Sequence, residues 1–171
     1  EGFTSQEEKI REKLKLFSGV EILIYCKDHH PLDKIISQAN IKTFSWGTSP
    51  SANVIVEFSR DICFISYTNE RHELDLPFSD KASQENCLHC VTLMLSMGYD
   101  LPVIQEIITG LRSIPMRMEL KEGINHCQLI DDSYNNDIGG LALALQFLAN
   151  QGQKEKKRLI LSDILESGLE K

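Results

Sequence analysis

The sequence predicts an α/β chain in two parts, and three observations support that fold class. Continuous apolar runs such as "VEILIYC" (20–26) are typical of strands buried on both faces of a parallel sheet. Segments with apolar residues at helical spacing alternate with these runs. After Pro115 the pattern restarts as strand, helix and strand, which predicts a βαβ unit and an open parallel sheet. We therefore divide the chain into residues 1–113 and 114–171.

The first part opens with a helix. Ser5 and Glu8 have the spacing of a capping box, and the apolar periodicity then continues to about Phe17. The apolar run described above follows as a strand. A short helix is predicted to begin near Pro31, and "IKTFSW" (41–46) is predicted to be the next strand.

Three short strand-like runs come next, and their short connectors predict antiparallel hairpins. They are residues 53–59, 61–68 and 72–78. Residues 82–97 have helical periodicity. Asp100 is the predicted N-cap of a further helix that ends before Pro115.

The second part contains two predicted strands, a helix and a third predicted strand. They cover "MRMELKEG" (116–123), "NHCQLIDD" (125–132), "IGGLALALQFLAN" (138–150) and "LILSDILESG" (159–168). This part is short for an independent α/β domain, so we expect it to be the beginning of a longer one.

Composition excludes several classes of protein. The 171 residues carry a net charge of -7, which argues against an extended nucleic-acid-binding surface. No apolar run approaches the roughly 20 residues of a membrane span. The five cysteines lie mostly within apolar runs, as reduced core thiols of a cytosolic protein do.

The most polar candidate site is "LIDDSYNN" (129–136). It follows a predicted strand and precedes a helix, and ligands of open parallel sheets bind at that end of the strands. A carboxylate there can accept hydrogen bonds from two sugar hydroxyls, and Tyr134 and the two asparagines add donors and acceptors. Asp and Asn are also common turn residues, so a plain turn is the alternative.

The segment "CLHC" is a second candidate, for a metal. A structural zinc site needs four ligands, and this stretch offers Cys87, His89 and Cys90 without a second cysteine pair. The helical spacing predicts instead that Cys87 is a core residue, and this is the favoured interpretation. A non-catalytic α/β interaction module, stabilised by a metal at these residues, is one alternative function.

Four segments resemble, in order, the motifs of the Mur ligase family, most of all its MurF type. They are "SQENCLHCVTLML" (83–95), "IPMRMEL" (114–120), "LIDDSYNND" (129–137) and "LILSDILESG" (159–168). The resemblance implies the later part of a central ATPase domain followed by the start of a Rossmann-like C-terminal domain. Another member of the family, such as folylpolyglutamate synthase, is a further alternative.

The resemblance also implies an activity and its cofactors. Ligases of the MurF type add D-alanyl-D-alanine to UDP-N-acetylmuramoyl-tripeptide in the cytoplasm, during peptidoglycan synthesis. They use ATP and Mg²⁺ and form an acyl phosphate. Pyridoxal phosphate would be expected only if an alanine racemase domain follows, as in some of these proteins. The family's Gly-rich phosphate loop lies upstream of the matched segments, so we expect this fragment alone to be inactive.

Nucleotide-binding residues follow from the same motifs. Asn86 and His89 match the adenine-side helix, Arg117 matches the linker arginine, and Asp132 matches the aspartate that binds the ribose. The chain departs from the pattern at His89, where the family usually has asparagine, and at Met116, where it has glycine.

On the substrate side, the resemblance assigns Lys13 as the catalytic lysine, whose carbamate would bind Mg²⁺. Lys15 is the neighbouring alternative. Carbamate formation needs a neutral amine, so we expect this lysine to be partly desolvated. Tyr134, Asn135 and Asn136 are expected to face the incoming dipeptide.

Overall fold

The computed structural model describes residues 3–60, 62–112, 114, 116–134, 138–151, 156–162 and 164. The described residues group into two compact units. One extends up to Leu111, and the other begins at Arg112.

A mixed five-stranded sheet forms the centre of the first unit, with the strands in sequence order. The strands are β1 (Leu23–Cys26), β2 (Thr43–Gly47), β3 (Val54–Ser59), β4 (Ile62–Tyr67) and β5 (Glu70–Leu74). The pairings of β1 with β2 and of β2 with β3 are parallel, and those of β3 with β4 and of β4 with β5 are antiparallel. The predicted α/β class and the predicted hairpins are therefore confirmed.

The β4–β5 hairpin closes through a two-residue turn. Tyr67 pairs with Glu70, and the residues between them, Thr68 and Asn69, have φ of 52° and 66°. Positive φ at both central positions is the geometry of a type I′ turn, which matches the twist of the flanking strands.

Four helices accompany this sheet: α1 (Gln6–Leu14), α2 (His30–Ile36), α3 (Lys81–Ser96) and α4 (Leu101–Thr109). Ser5 caps α1 by accepting a hydrogen bond from the Glu8 backbone N–H, as the capping box predicts. The predicted α3 agrees with the structure to within one residue at each end. α4 is shorter than predicted, because its C-cap is Gly110, and glycine is unfavourable inside a helix.

The core of the first unit lies between the sheet and the inner faces of α3 and α4. Val54, Ile65, Val91 and Ile104 are completely buried there. Burying a side chain of this size stabilises the fold by about 1.5–3 kcal/mol, so this layer holds α3 in place against β2. α3 carries several of the candidate site residues, and its position is thus set by the core.

The described part of the second unit contains an antiparallel pair of strands, β6 (Glu119–Glu122) and β7 (Gln128–Asp131), a 3-10 turn between them (Ile124–His126), and the helix α5 (Ile138–Asn150). Residues 159–162, where the sequence predicts the second strand of a βαβ unit, are described without a strand. β6 and β7 are antiparallel and a short turn joins them, so they form a hairpin. The predicted parallel pairing is not seen among the described residues of this unit. Within the described residues, no helix has the length and apolar character needed to cross a membrane.

Candidate functional site

Lys13 lies on α1 beside a groove of about 350 Å³, whose walls include Phe17, His29 and Leu32. The groove forms where α1 packs against α2. Lys13 is exposed, whereas a carbamate-forming lysine is expected to be partly desolvated. Lys15, the alternative, is exposed as well and forms an ion pair with Glu12 on the same helix. The first unit therefore does not bury either lysine.

A chain of polar contacts runs from this groove to α3. Nε2 of His29 lies 2.7 Å from Oε1 of Glu85, and Nε2 of His89 lies 3.8 Å from the same oxygen. Glu85 and His89 are four residues apart and therefore share one face of α3. We call His29, Glu85 and His89 the His–Glu–His chain.

Trp46 on β2 determines the protonation of His89. The indole N–H of Trp46 donates to Nδ1 of His89 at 3.0 Å. An indole can only donate, so Nδ1 must be unprotonated and neutral His89 carries its proton on Nε2. Burial lowers the pKa of His89, against the opposing effect of Glu85, and His29 lowers it further. The neutral ring is therefore the favoured form.

These contacts argue against the nucleotide-binding role that the resemblance implies for His89. One ring nitrogen is occupied by Trp46 and the other faces Glu85, so a hydrogen bond to adenine would require breaking a protein contact. They also argue against metal binding, since the protonated Nε2 has no lone pair to donate. Cys87 is buried and Cys90 is exposed, and no described group of three His, Cys, Asp or Glu side chains is arranged to hold a metal ion.

Asn86 remains available on α3. It follows Glu85 in the sequence and is exposed. It belongs to the same helix as the buried core residues, so its backbone is held firmly although its side chain is accessible. Of the two residues expected beside the adenine, Asn86 is therefore accessible, whereas His89 is held in contacts within the protein.

The carboxyl ends of β1 and β2 are tied together beside this helix. The carboxylate of Asp28 accepts hydrogen bonds from the backbone N–H and the hydroxyl of Thr48, at 2.9–3.1 Å. This contact depends on Gly47, because a Cβ at that position would lie 2.7 Å from Oδ1 of Asp28. The aspartate therefore serves the turn between the two strand ends.

In the second unit, the linker arginine and the acidic loop lie together. Cζ of Arg117 is 4.4 Å from the centroid of the Tyr134 ring. The Met118 backbone N–H donates to Oδ1 of Asp132 at 3.1 Å, and the Tyr134 N–H donates to the Met116 carbonyl at 3.1 Å. We call Met116, Arg117, Met118, Asp132 and Tyr134 the Arg117 cluster.

The two aspartates of the loop have different environments. Asp131 accepts from Lys121 at 2.8 Å and from the Ser133 hydroxyl at 2.7 Å. Both hydrogen bonds lower the pKa of Asp131, and the one from Lys121 has the larger effect. Among the described residues, Asp132 has a hydrogen bond only to the Met118 N–H. Asp131 therefore holds the hairpin together, and Asp132 is the carboxylate with an oxygen available beside Arg117.

The sequence points to Arg117, Asp132 and Tyr134 of the Arg117 cluster as site residues, but not to Met118 or to other parts of the site. Asn135 and Asn136, the other predicted substrate contacts, lie outside the described residues. Trp46 and Lys121 were not identified, although the i,i+4 spacing of Glu85 and His89 is a signal that the sequence contains. Nothing in the sequence joins His29 to Glu85, which are 56 residues apart.

Comparison with known proteins agrees with the resemblance. No protein-family model matches the chain. The chain is 30% identical over 95 residues to UDP-N-acetylmuramoyl-tripeptide–D-alanyl-D-alanine ligase of Escherichia coli K12, covering 56% of this chain and 21% of the ligase. Against the same ligase from Bacillus subtilis 168 it is 24% identical over 168 residues, covering 96% and 36%.

Solved structures agree on the fold. A crystal structure of MurF from Acinetobacter baumannii superposes with a TM-score of 0.68 at 17% identity, covering 87% of this chain and 34% of that protein. MurF from Thermotoga maritima, crystallised with ADP, gives a TM-score of 0.69 at 15% identity, covering 87% and 36%.

The chain is similar in sequence and in fold to part of a MurF-type Mur ligase. It spans about a fifth of the E. coli MurF and about a third of the B. subtilis MurF. The recognition of a MurF-like α/β fold from the sequence is confirmed. The residues that would serve a MurF reaction remain predictions, because these similarities do not test them.

Proposed function

We propose that this chain is part of an ATP-dependent ligase that adds D-alanyl-D-alanine to UDP-N-acetylmuramoyl-tripeptide. Similarity to MurF ligases of two bacteria supports the substrate class. The proposed reaction activates the tripeptide carboxylate as an acyl phosphate, which the amine of the dipeptide then attacks. Both substrates of such a reaction would be soluble, and the nucleotide-linked one is consistent with a cytoplasmic enzyme.

The Arg117 cluster is the observation that carries this proposal. A guanidinium and a carboxylate on neighbouring backbone segments match a nucleotide, because the cation attracts phosphate oxygens and the carboxylate accepts from ribose hydroxyls. The segments that carry Arg117 and Asp132 are joined by the hydrogen bond from Met118 to Asp132 and by the contact of Arg117 with Tyr134. Their role in this reaction is to bind and orient the nucleotide before the acyl phosphate forms.

Asn86 is the residue of the first unit that we assign to the adenine. It is exposed, carries both a donor and an acceptor, and can therefore contact the edge of a base. His89 is better assigned to holding Glu85, for the reasons given above. Asn135 and Asn136 are proposed to contact the dipeptide on the strength of the resemblance alone.

The described residues do not form a magnesium site. Mg²⁺ requires several oxygen ligands in near-octahedral geometry, and no suitable group of side chains is found among them. Lys13 as a carbamate would add one oxygen ligand, but its exposed amine offers no desolvated environment in which the carbamate would form readily. No step of the proposal is therefore routed through the metal. Pyridoxal phosphate has no support in these residues.

The proposal is tested by phosphate release from ATP in the full-length protein that carries this chain. We expect release only when UDP-N-acetylmuramoyl-tripeptide and D-alanyl-D-alanine are both present. Release without the dipeptide, or with a folate and glutamate instead, would overturn the assignment.

Asp132→Asn and Asp131→Asn form a matched pair for the nucleotide site. Losing one charged hydrogen-bonding partner of the ribose should raise the KM for ATP by about tenfold in Asp132→Asn. Asp131→Asn should leave that KM within about twofold, since Asp131 serves Lys121 and Ser133. Equal effects of the two substitutions would remove the ribose role of Asp132.

A further inference from the structure

Arg117 lies between two residues with left-handed backbone conformations. Met116 has a φ of 63° and Met118 has a φ of 49°. Such conformations cost residues other than glycine about 1–2 kcal/mol each and persist only where the surroundings impose them. Two hydrogen bonds impose them here, one from the Tyr134 N–H to the Met116 carbonyl and one from the Met118 N–H to Asp132.

These two bonds fasten the backbone on both sides of Arg117 to the loop that contains Tyr134. The side chain of Arg117 extends from this fastened segment over the Tyr134 ring, at 4.4 Å from its centroid. A cation over an aromatic face is attracted by the ring quadrupole. The Arg117 side chain is thus restrained at its base by the backbone and at its guanidinium by the ring.

The contact with the ring leaves the charge of Arg117 in place. A cation–π contact does not neutralise a guanidinium, and its N–H groups can still donate hydrogen bonds. No ion pair of Arg117 with a described carboxylate is present, in contrast to Lys121, which is paired with both Glu119 and Asp131. Among the described residues, Arg117 therefore contacts the Tyr134 ring and has no carboxylate paired with it.

We propose that Tyr134 is a positioning residue that holds the Arg117 guanidinium ready for a phosphate group of the nucleotide. The inference rests on the proposed function for the identity of the anion, but the positioning can be tested without it. The aromatic ring performs this role and the hydroxyl is not needed. This differs from the dipeptide contact that the resemblance implies for Tyr134, because a polar contact to a dipeptide would depend on the hydroxyl.

The first experiment measures the motion of the Arg117 side chain in the 171-residue chain by NMR relaxation of its Nε–H. We expect a high order parameter in the wild type and in Tyr134→Phe, and a low one in Tyr134→Leu, which keeps an apolar side chain but lacks the ring. Tyr134→Met serves as a second variant without a ring, should the leucine variant fail to fold. Unchanged motion in a folded variant without the ring would overturn the proposal.

The second experiment measures steady-state kinetics in the full-length protein. Tyr134→Leu should raise the KM for ATP about three- to fivefold, the factor expected from a partly exposed cation–π contact, with kcat nearly unchanged. Tyr134→Phe should match the wild type. In the background of Arg117→Gln, Tyr134→Leu should add no further effect, because the residue it positions is gone.

Three outcomes of this second experiment would count against the positioning role. They are an increase in the KM for the dipeptide in Tyr134→Phe, a fall in kcat alone in Tyr134→Leu, and additive effects of the two substitutions. If the NMR result holds and the protein shows no ATP-dependent ligation, the proposed function fails while the positioning of Arg117 stands. If ligation is observed and Arg117 moves freely in the wild type, the positioning fails while the function stands.

Discussion

The indole N–H of Trp46 donates a 3.0 Å hydrogen bond to Nδ1 of His89, and this bond fixes the tautomer of the histidine. Because the proton of neutral His89 is thereby on Nε2, it faces Glu85, which also contacts His29. One donor on a buried strand thus orients a polar chain that extends across α3 to the groove beside Lys13.

Protonation of His89 should break this bond, because both partners would then be donors. Burial places the folded-state pKa of His89 below its ordinary value of 6.5. The stabilisation from the neutral ring is therefore fully present above about pH 6.5 and is lost as the pH falls through the lower folded-state pKa. We expect the free energy of unfolding, measured in urea by the fluorescence of Trp46, to decrease as the pH is lowered over this range. Trp46 is the single tryptophan of the sequence.

In His89→Asn, the loss of stability with falling pH should be smaller, since asparagine has no group that titrates in this pH range. His72→Asn is the matched control, because His72 is another partly exposed histidine near a glutamate, Glu70, on β5. The prediction would be contradicted if the stability of His89→Asn depended on pH as steeply as that of the wild type, or if both variants changed this dependence equally.

Thiol reactivity should divide the five cysteines into two classes. Burial raises the pKa of Cys63 to about 12 and that of Cys87 to about 11, and it also raises the pKa of Cys26. Cys90 and Cys127 are exposed. Since the thiolate is the reactive form, a thiol reagent at pH 8 should label the two exposed cysteines rapidly in the native protein and all five in denaturant. Replacing Cys90 and Cys127 with serine should abolish the rapid phase, and a third rapidly labelled thiol would show that the core is open.

Met116→Gly should stabilise the second unit by about 0.5–1 kcal/mol. Glycine adopts positive φ without steric cost, and this gain exceeds the extra entropy that glycine loses on folding. Thermal unfolding would measure the change. Leu120→Gly, at a position in β6 with an extended backbone, is the control and should be destabilising. A loss of stability in Met116→Gly would show that the methionine side chain contributes more than its backbone strain costs.

The elements that the sequence predicted well are those whose local pattern agrees with their packing. α3 combines an N-cap at Asp80 with an apolar face that the core buries, so its limits follow from local chemistry. α4 ends at Thr109, with Gly110 as its C-cap, instead of before Pro115, because glycine favours termination and the described residues that follow, 111, 112 and 114, are exposed.

The contacts of the candidate site were harder to predict, because they join distant segments. The bond between His29 and Glu85 exists only because the sheet brings the end of β1 beside α3. The resemblance assigns Arg117 to the nucleotide and Tyr134 to the dipeptide, and their contact is made from a backbone with positive φ at Met116 and Met118. Residues other than glycine seldom adopt such conformations, so sequence periodicity contains no sign of them.

The hydrogen bonds between Asp28 and Thr48 have a consequence for the evolution of this fold. The space that a side chain at position 47 would need is occupied by the carboxylate of residue 28, so the two positions are not free to vary independently. In relatives of this chain, a larger residue at position 47 should appear together with a residue other than aspartate at position 28. A set of homologous sequences would then contain these positions as a covarying pair, set by steric exclusion between two strand ends.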